Sequence, residues 1–315
     1  MQKIAIVFNP SSRKGKSGKA RNKIERILNA NNIKYDLFIS ESEEHLKQLT
    51  VEAAWKYSTL VGVGGDTTFN IMVRQLIKSG CPLPVLGMIG TGSANDIARS
   101  LGIYSIEDAC NAIKRGTTSE MDIGRIQIDR KSKPYFFLGS LSTGLGTTVN
   151  RYIEKFQQNH RLITRIQPFY QIVPGLCGIY NSFSQKKLPL QIKMQYPNGN
   201  NGESVTKNIE FSLLVFLNTP YFAKGLKLGP DTGSFDGRLD CCVIDTRGFW
   251  DTFRMGLKIQ RGTHTRCDNV ELVQSPTFKI HAPEPIDILA DGEIIERVRE
   301  FVVSLSEERI RVLCN

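Results

Sequence analysis

The sequence predicts an α/β plus β protein, with an N-terminal doubly wound parallel α/β domain followed by a C-terminal, mainly antiparallel β-sandwich domain. Three observations carry that prediction. As far as residue 101, short β-branched runs alternate with segments of helical periodicity, the pattern of strands and crossover helices in a parallel sheet. Around Asp122-Ile123-Gly124 the helical period fades and strand-like runs succeed one another, with Pro197-Asn198-Gly199-Asn200-Asn201-Gly202 a strong hairpin turn between two of them. At 315 residues the chain also exceeds what one core usually supports, about 250–300 residues. Two domains are therefore expected, 1–124 and 125–304, with a last strand inside 305–315 completing one or the other.

In order, residues 3–8 form the first strand, and 9–18 a basic loop bearing glycine and serine. Gly15-Lys16-Ser17 imitates a phosphate-binding P-loop, but the position five residues before Gly15 is Pro10 where that motif requires glycine. Residues 20–29 read as a helix with Ile24, Ile27 and Leu28 on one face, 34–39 as a strand and 43–57 as a helix. The third strand begins at Thr59 and breaks at Gly64-Gly65-Asp66-Thr67-Thr68 into a helix with apolar residues at helical spacing. Glycines at a strand end let an anion approach the backbone, and a helix start offers free N–H groups and a positive dipole end. A fourth strand at 85–89 leads through Gly90-Thr91-Gly92-Ser93-Ala94-Asn95-Asp96 into a helix at 97–101. In a doubly wound sheet these three loops fall beyond the carboxyl ends of the strands, around one crevice. Thr67 stands where the dinucleotide fingerprint needs glycine or alanine, which disfavours a dehydrogenase.

In the second half, strand-like runs fall at 125–129, 135–138, 188–195, 209–217, 239–244, 270–273, 278–281 and 286–289, and a final one at 309–313. Residues 150–180 are more helical and combine Arg151, Lys155, Arg161 and Arg165 with aromatic side chains. No apolar run reaches the roughly 18–20 residues of a bilayer span. The seven cysteines form no Cys-x-x-Cys pair, which points to reduced thiols, a cytoplasmic protein and no zinc site. A net charge of +10 implies an anionic partner. No nucleic-acid-binding module is recognisable, so nucleic acid is not the expected one.

Taken together, Asn9-Pro10 with Lys16, the Gly64-to-Thr68 run, Gly92-Ser93-Ala94-Asn95-Asp96-Ile97-Ala98-Arg99-Ser100-Leu101-Gly102, Gly229-Pro230-Asp231 with Asp236-Gly237-Arg238-Leu239-Asp240, and Ala290-Asp291-Gly292-Glu293 resemble the diacylglycerol kinase catalytic-domain family of lipid kinases. That family is related in architecture to NAD kinases and phosphofructokinases. Asn218 matches a family asparagine as well, and the resemblance runs in order along nearly the whole chain.

The resemblance implies transfer of the γ-phosphoryl group of ATP, with Mg²⁺, to a lipid hydroxyl such as that of diacylglycerol. Asn9, Lys16, Gly64, Gly65, Asp66, Thr67, Thr68, Gly92, Ser93, Asn95, Asp96 and Glu293 would serve the nucleotide, and Arg99 the charge of the substrate. Asp291 would be the general base with Asp122 as its carboxylate neighbour, and Asp231, Asp236 and Asp240 would hold a structural Mg²⁺ through waters. The residue types suit these tasks. Phosphoryl transfer needs positioning, neutralisation of phosphate charge and an acceptor for the hydroxyl proton. An ionised aspartate within reach of the hydroxyl supplies the last, and oxygen donors suit a Mg²⁺ that keeps waters. The same residues also have plain structural uses: Asp-Gly makes hairpin turns, and Asn95-Asp96 caps helices.

Two positions depart from the family pattern, Thr67 for its third glycine and Ile71 for a glutamate. Thr67 fits if its φ is negative and otherwise narrows the nucleotide site. Lipid substrate and basic residues suggest peripheral association with anionic membrane, and exposed strand edges leave a homodimer open. Two other readings compete, an NAD kinase-like small-molecule kinase and a catalytically silent nucleotide- or lipid-binding protein.

Overall fold

The computed structural model describes residues 3–10, 17–128, 133–159, 169–184, 188–198 and 203–315. The first sheet comprises β1 (Ile4–Phe8), β2 (Tyr35–Ile39), β3 (Thr59–Gly64), β4 (Val85–Gly90), β5 (Thr118–Met121) and the last strand of the chain, β18 (Ile310–Leu313), in the order β2-β1-β3-β4-β18-β5. The first four strands are parallel, β18 continues them alongside β4, and β5 runs antiparallel to β18. Buried on both faces, β1 reads as a continuous apolar run, Ile4-Ala5-Ile6-Val7-Phe8. Helices α1 (Ser17–Ala30), α2 (Glu43–Lys56), α3 (Asp66–Ser79), α4 (Asp96–Ser100) and α5 (Ile106–Arg115) provide the crossovers. α5 is absent from the sequence expectation and is marked by its caps, with Ser105 accepting the Asp108 N–H at its start and Gly116 ending it at φ 70°.

The second unit is one connected set of ten strands: β6 (Gly124–Gln127), β7 (Tyr135–Phe137), β8 (Ser140–Gly144), β9 (Leu190–Asn198), β10 (Glu203–Phe211), β11 (Leu213–Leu217), β14 (Leu239–Ile244), β15 (Val270–Ser275), β16 (Thr277–Ala290) and β17 (Glu293–Leu305). They follow the path β15-β14-β11-β8-β16-β17-β6-β7, with β9 on β16 and β10 on β9, and all pairings are antiparallel. Side chains from Ile126 on β6 through Met194 on β9, Phe216 on β11 and Phe278 on β16 to Phe301 on β17 share one core, so the set wraps around a single interior. A small hairpin, β12 (Tyr221–Phe222) and β13 (Leu226–Lys227), and the helices α6 (Leu145–Asn159), α7 (Phe169–Ser184) and α8 (Phe249–Gln260) complete the unit. Among the described residues no helix is long and apolar enough to cross a membrane.

Several elements differ from expectation for identifiable reasons. The run expected at 209–217 is two strands, because the Ser212 hydroxyl turns to the Ile244 carbonyl and Thr246. The runs at 278–281 and 286–289 are one strand, interrupted where Pro283 and Pro285 lack ladder donors and the register shifts. β17 is hidden in sequence by its charges: Glu296, Arg297, Arg299 and Glu300 face solvent while Val298, Phe301 and Val303 face the core. The turn at 199–202 lies outside the described residues, as do Arg161 and Arg165.

Candidate active site

The strand ends of the first sheet bring two glycine loops into direct contact. The Thr91 N–H donates to the Gly64 carbonyl at 2.7 Å. A Cβ on Gly92 would sit 2.6 Å from the Gly65 Cα, closer than any side chain tolerates, so Gly92 must be glycine for this approach, and a Cβ on Gly65 would be tight at 3.2 Å from Gly92. Gly64 faces Thr68 in the same way, with a notional Cβ 2.3 Å from Oγ1. The Thr68 hydroxyl accepts the Asn9 amide at 3.0 Å, which ties the loop after β1 to the first turn of α3. Lys16 lies outside the described residues. Gly65 is the N-cap of α3 and makes no side-chain cap, so N–H groups of the first turn remain open toward the crevice.

Asp66 turns away from its own helix. Its Oδ2 and Oδ1 accept the N–H groups of Asp96 at 3.1 Å and Ile97 at 3.0 Å, which makes Asp66 the cap of α4. Asn95, in the N-cap position at φ 55°, makes no cap of its own; its Oδ1 accepts the Gly92 N–H at 2.9 Å and shapes the loop. Asp96 reaches across to the β12–β13 hairpin and accepts the Lys224 N–H at 3.0 Å. Burial raises the pKa of Asp66, and burial followed by the charge of Asp66 raises that of Asp96. Ser93 and Arg99 are exposed at this rim, and the Arg99 Nε donates to the Ala94 carbonyl. Thr67 lies in the first helical turn with ordinary helical backbone and its side chain in solvent, while Ile71 is buried in the core. Neither departure from the family pattern fills the crevice between the loops.

Asp291-Gly292 is a two-residue hairpin turn between β16 and β17, with φ 49° and 87° and Ala290 paired to Glu293. Positive φ at both central positions is what Asp-Gly favours. The turn also aims a carboxylate. Oδ1 accepts the N–H groups of Gly139 and Ser140, each at 2.9 Å, and Oδ2 accepts that of Leu138 at 2.8 Å. A Cβ on Gly139 would stand 2.9 Å from Oδ1, so glycine permits the approach. Burial pushes the pKa up to about 6 against the opposing pull of these three donors. A carboxylate offers about four acceptor sites; three are filled, and the open one is on Oδ2.

The partners of the Asp122 carboxylate are Arg309 and Gly237. Asp122 is buried, its Oδ1 held by Arg309 Nε at 2.8 Å and its Oδ2 accepting the Gly237 N–H at 2.7 Å. It anchors the loop that carries Asp236. Asn218 joins the two regions, its amide donating to the carbonyls of Asp122 and Leu138 at 2.9 and 2.8 Å. Among the described residues no three His, Cys, Asp or Glu side chains converge to ligate an ion directly. Asp240 nonetheless keeps a buried Oδ2 without a hydrogen-bond partner, and its pKa is raised by burial and by the charges of Asp236 and Asp231. Asp236 accepts the Arg238 N–H and the Gln274 amide.

Three participants carried no sequence signal. Arg74, two turns into α3, reaches Glu293 Oε2 at 2.9 Å and the Tyr135 hydroxyl, with its guanidinium 4.7 Å from the Tyr135 ring centre. Tyr135 donates to the same Glu293 oxygen at 2.7 Å. Burial pushes Glu293 up, but the Arg74 and Tyr135 hydrogen bonds outweigh it and hold the pKa below its usual value. The cluster clamps the helix after the Gly-Gly-Asp loop to the residue after the Asp291 turn. One turn before Arg74, Asn70 is buried with neither amide atom paired. These residues become legible only when the two units are packed together.

Residues 3–126 match the family model described as the diacylglycerol kinase catalytic domain, and residues 181–313 match the YegS C-terminal NAD kinase beta sandwich-like domain. A diacylglycerol kinase of Mycobacterium tuberculosis (strain CDC 1551 / Oshkosh) is 24% identical over 295 residues, covering 92% of this chain and 88% of its own. One from Staphylococcus aureus (strain bovine RF122 / ET3-1) is 24% identical over 300 residues, with 93% and 86% covered. The crystal structure of a diacylglycerol kinase from Bacillus anthracis str. Sterne superposes with a TM-score of 0.71 at 17% identity, covering 100% of this chain and 97% of that one.

Proposed function

Since the chain belongs to the diacylglycerol kinase catalytic-domain family and is a phosphotransferase of that kind, we propose that it moves the γ-phosphoryl group of Mg-ATP to the hydroxyl of diacylglycerol or a related lipid. The observation that carries this reading is the Asp291 carboxylate, fixed by three backbone donors with one acceptor site open. A hydroxyl seated on Oδ2 would give up its proton to a group whose pKa of about 6 leaves it ionised at neutral pH. The phosphates would lie on the bare N-cap of α3, where Gly64, Gly65 and Gly92 give the backbone access. Asn70 has an unspent buried amide on the helix that faces the Asp291 turn through Arg74, and would donate to a bound phosphoryl oxygen.

Asp231, Asp236 and Asp240 fit a Mg²⁺ that keeps several of its waters: the donors are all oxygens and one buried oxygen is unpartnered. Such an ion would stiffen the loop that Asp122 anchors. Binding at an anionic membrane surface, where a lipid acceptor is found, belongs to the same reading. The test is transfer from γ-labelled Mg-ATP into a panel of diacylglycerol, sphingoid, monoacylglycerol and polyprenol acceptors. Label in one lipid identifies the substrate. ATP bound with label in none would replace the reading with a silent nucleotide-binding protein.

A further inference from the structure

Helix α8 rests on the sheet through Met255 and Ile259, which join the core beside Val215 and Leu217. Its opposite side is unusual for a protein surface. Trp250 is 69% exposed, and Phe253 and Leu257 lie in solvent beside it. At 100° per residue these three fall in one sector, and Arg254, Lys258 and Arg261 fall in the next, all of them exposed. Among the described residues none of these three cations has an ion-pair partner, and Lys258 Nζ donates only to the Cys267 thiol at 3.1 Å. The one carboxylate of the helix, Asp251, is folded back onto the Arg247 N–H at 3.0 Å.

The apolar sector continues onto α7. Tyr180, itself 60% exposed, meets Phe249 edge-on at 6.2 Å, Phe249 meets Trp250 at 5.2 Å, and Trp250 meets Phe253 at 6.3 Å. α7 carries no charged residue along its sixteen positions. It packs on α6, whose Asn150 amide reaches the Gly292 carbonyl beside Asp291 at 3.4 Å. α6 and α7 therefore connect the aromatic face to the Asp291 turn.

We infer that the outer face of α8, with the adjoining end of α7, docks the protein onto an anionic lipid bilayer. Trp250, Phe253 and Leu257 enter at headgroup depth, where amphipathic rings sit. Arg254, Lys258 and Arg261 meet lipid phosphates. This surface is distinct from the segment around Arg151, a residue already paired with Asp287 at 2.7 Å. The juxtaposition of exposed cations that lack carboxylate partners with apolar rings points to an anionic apolar surface, and the choice of a bilayer as that surface rests on the lipid-kinase reading.

The test is flotation of the full chain with vesicles of phosphatidylcholine alone or mixed with phosphatidylglycerol. Binding is expected on the mixed vesicles. It should fall at least about tenfold for Trp250→Ala with Phe253→Ala, and likewise for Arg254→Glu with Lys258→Glu. The chain has two tryptophans, Trp55 and Trp250, so in a Trp55→Phe background the emission of Trp250 should shift to the blue on mixed vesicles. Unchanged binding in both double variants, or Trp250 emission indifferent to lipid, overturns the inference. So does a fall in mass by sedimentation velocity when the same variants are made without lipid, which would assign the face to a second copy of the chain. Transfer to detergent-dispersed diacylglycerol separates the two ideas. Retained transfer in the α8 variants supports a surface that docks without reacting. Absence of transfer in every form, with vesicle binding still dependent on α8, leaves the docking surface standing and removes the kinase reading.

Discussion

Asp66 ends a strand–helix turn of the parallel sheet and Asp291 ends a hairpin of the antiparallel one, and in both cases burial raises the pKa while backbone N–H groups from another loop oppose it. They differ in the elements they join. Both Asp66 oxygens go to α4, so that carboxylate holds one glycine loop to the next. Asp291 is held by a turn that contributes nothing but donors, and it retains an acceptor site on Oδ2. Asp122 likewise joins distant segments, its oxygens engaged by Arg309 and Gly237.

Neutralising each carboxylate in turn separates their roles. Asp291→Asn should lower phosphoryl transfer by roughly 10²–10⁴, the usual contribution of a positioned general base, with ATP affinity and circular dichroism near those of the parent. Activity within tenfold of the parent would remove Asp291 from the reaction. The pH profile should follow. kcat/KM should be flat above about pH 6 and fall tenfold per pH unit below it. Stability runs the other way: because the folded pKa lies above that of an unfolded aspartate, about 3.9, this group's contribution is complete below that value and is lost as pH rises through about 6. Melting temperatures of the parent and Asp291→Asn, compared across that window, would show it as a slope present in the parent alone.

Smaller effects test what surrounds the pair. Arg74→Met removes the clamp on Glu293 and Tyr135. Because Glu293 is partly exposed, the loss should be about 1–2 kcal/mol rather than that of a fully buried pair, read as the denaturation midpoint. Asp66→Asn keeps the shape of the α4 cap but weakens its acceptors, and should cost about 1 kcal/mol with a rise in KM for ATP; a fall in kcat matching that of Asp291→Asn would show that both carboxylates react. Thr67→Gly is expected to do least. Its side chain is already in solvent at a helical φ, so the change should cost no more than about 0.5–1 kcal/mol and leave nucleotide affinity within a few-fold.

The parallel sheet was legible because each buried strand is a continuous apolar run and each loop carries its own turn chemistry. The antiparallel unit was less so. β17 alternates charged and apolar residues and resembles a solvated segment until β16 and β6 flank it. β8, Ser140-Leu141-Ser142-Thr143-Gly144, is rich in small polar side chains and is buried in the sheet between β11 and β16. α8 starts at Gly248 without a side-chain cap, so its sequence carries no start signal.

By itself the sequence determined the strand–helix alternation, the glycines where loops must touch, the Asp-Gly turns and the family they spell. These are local matters, fixed by backbone sterics and by which residues sit within a few positions of one another. Only the tertiary structure decided that Asp66 caps α4, that Asp122 belongs to Arg309, and that Arg74, Tyr135 and Glu293 meet across 219 positions of chain. Which N–H reaches a carboxylate, and how much water is left around it, depends on the packing of segments distant in sequence, and that environment sets whether an aspartate braces a loop or takes a proton.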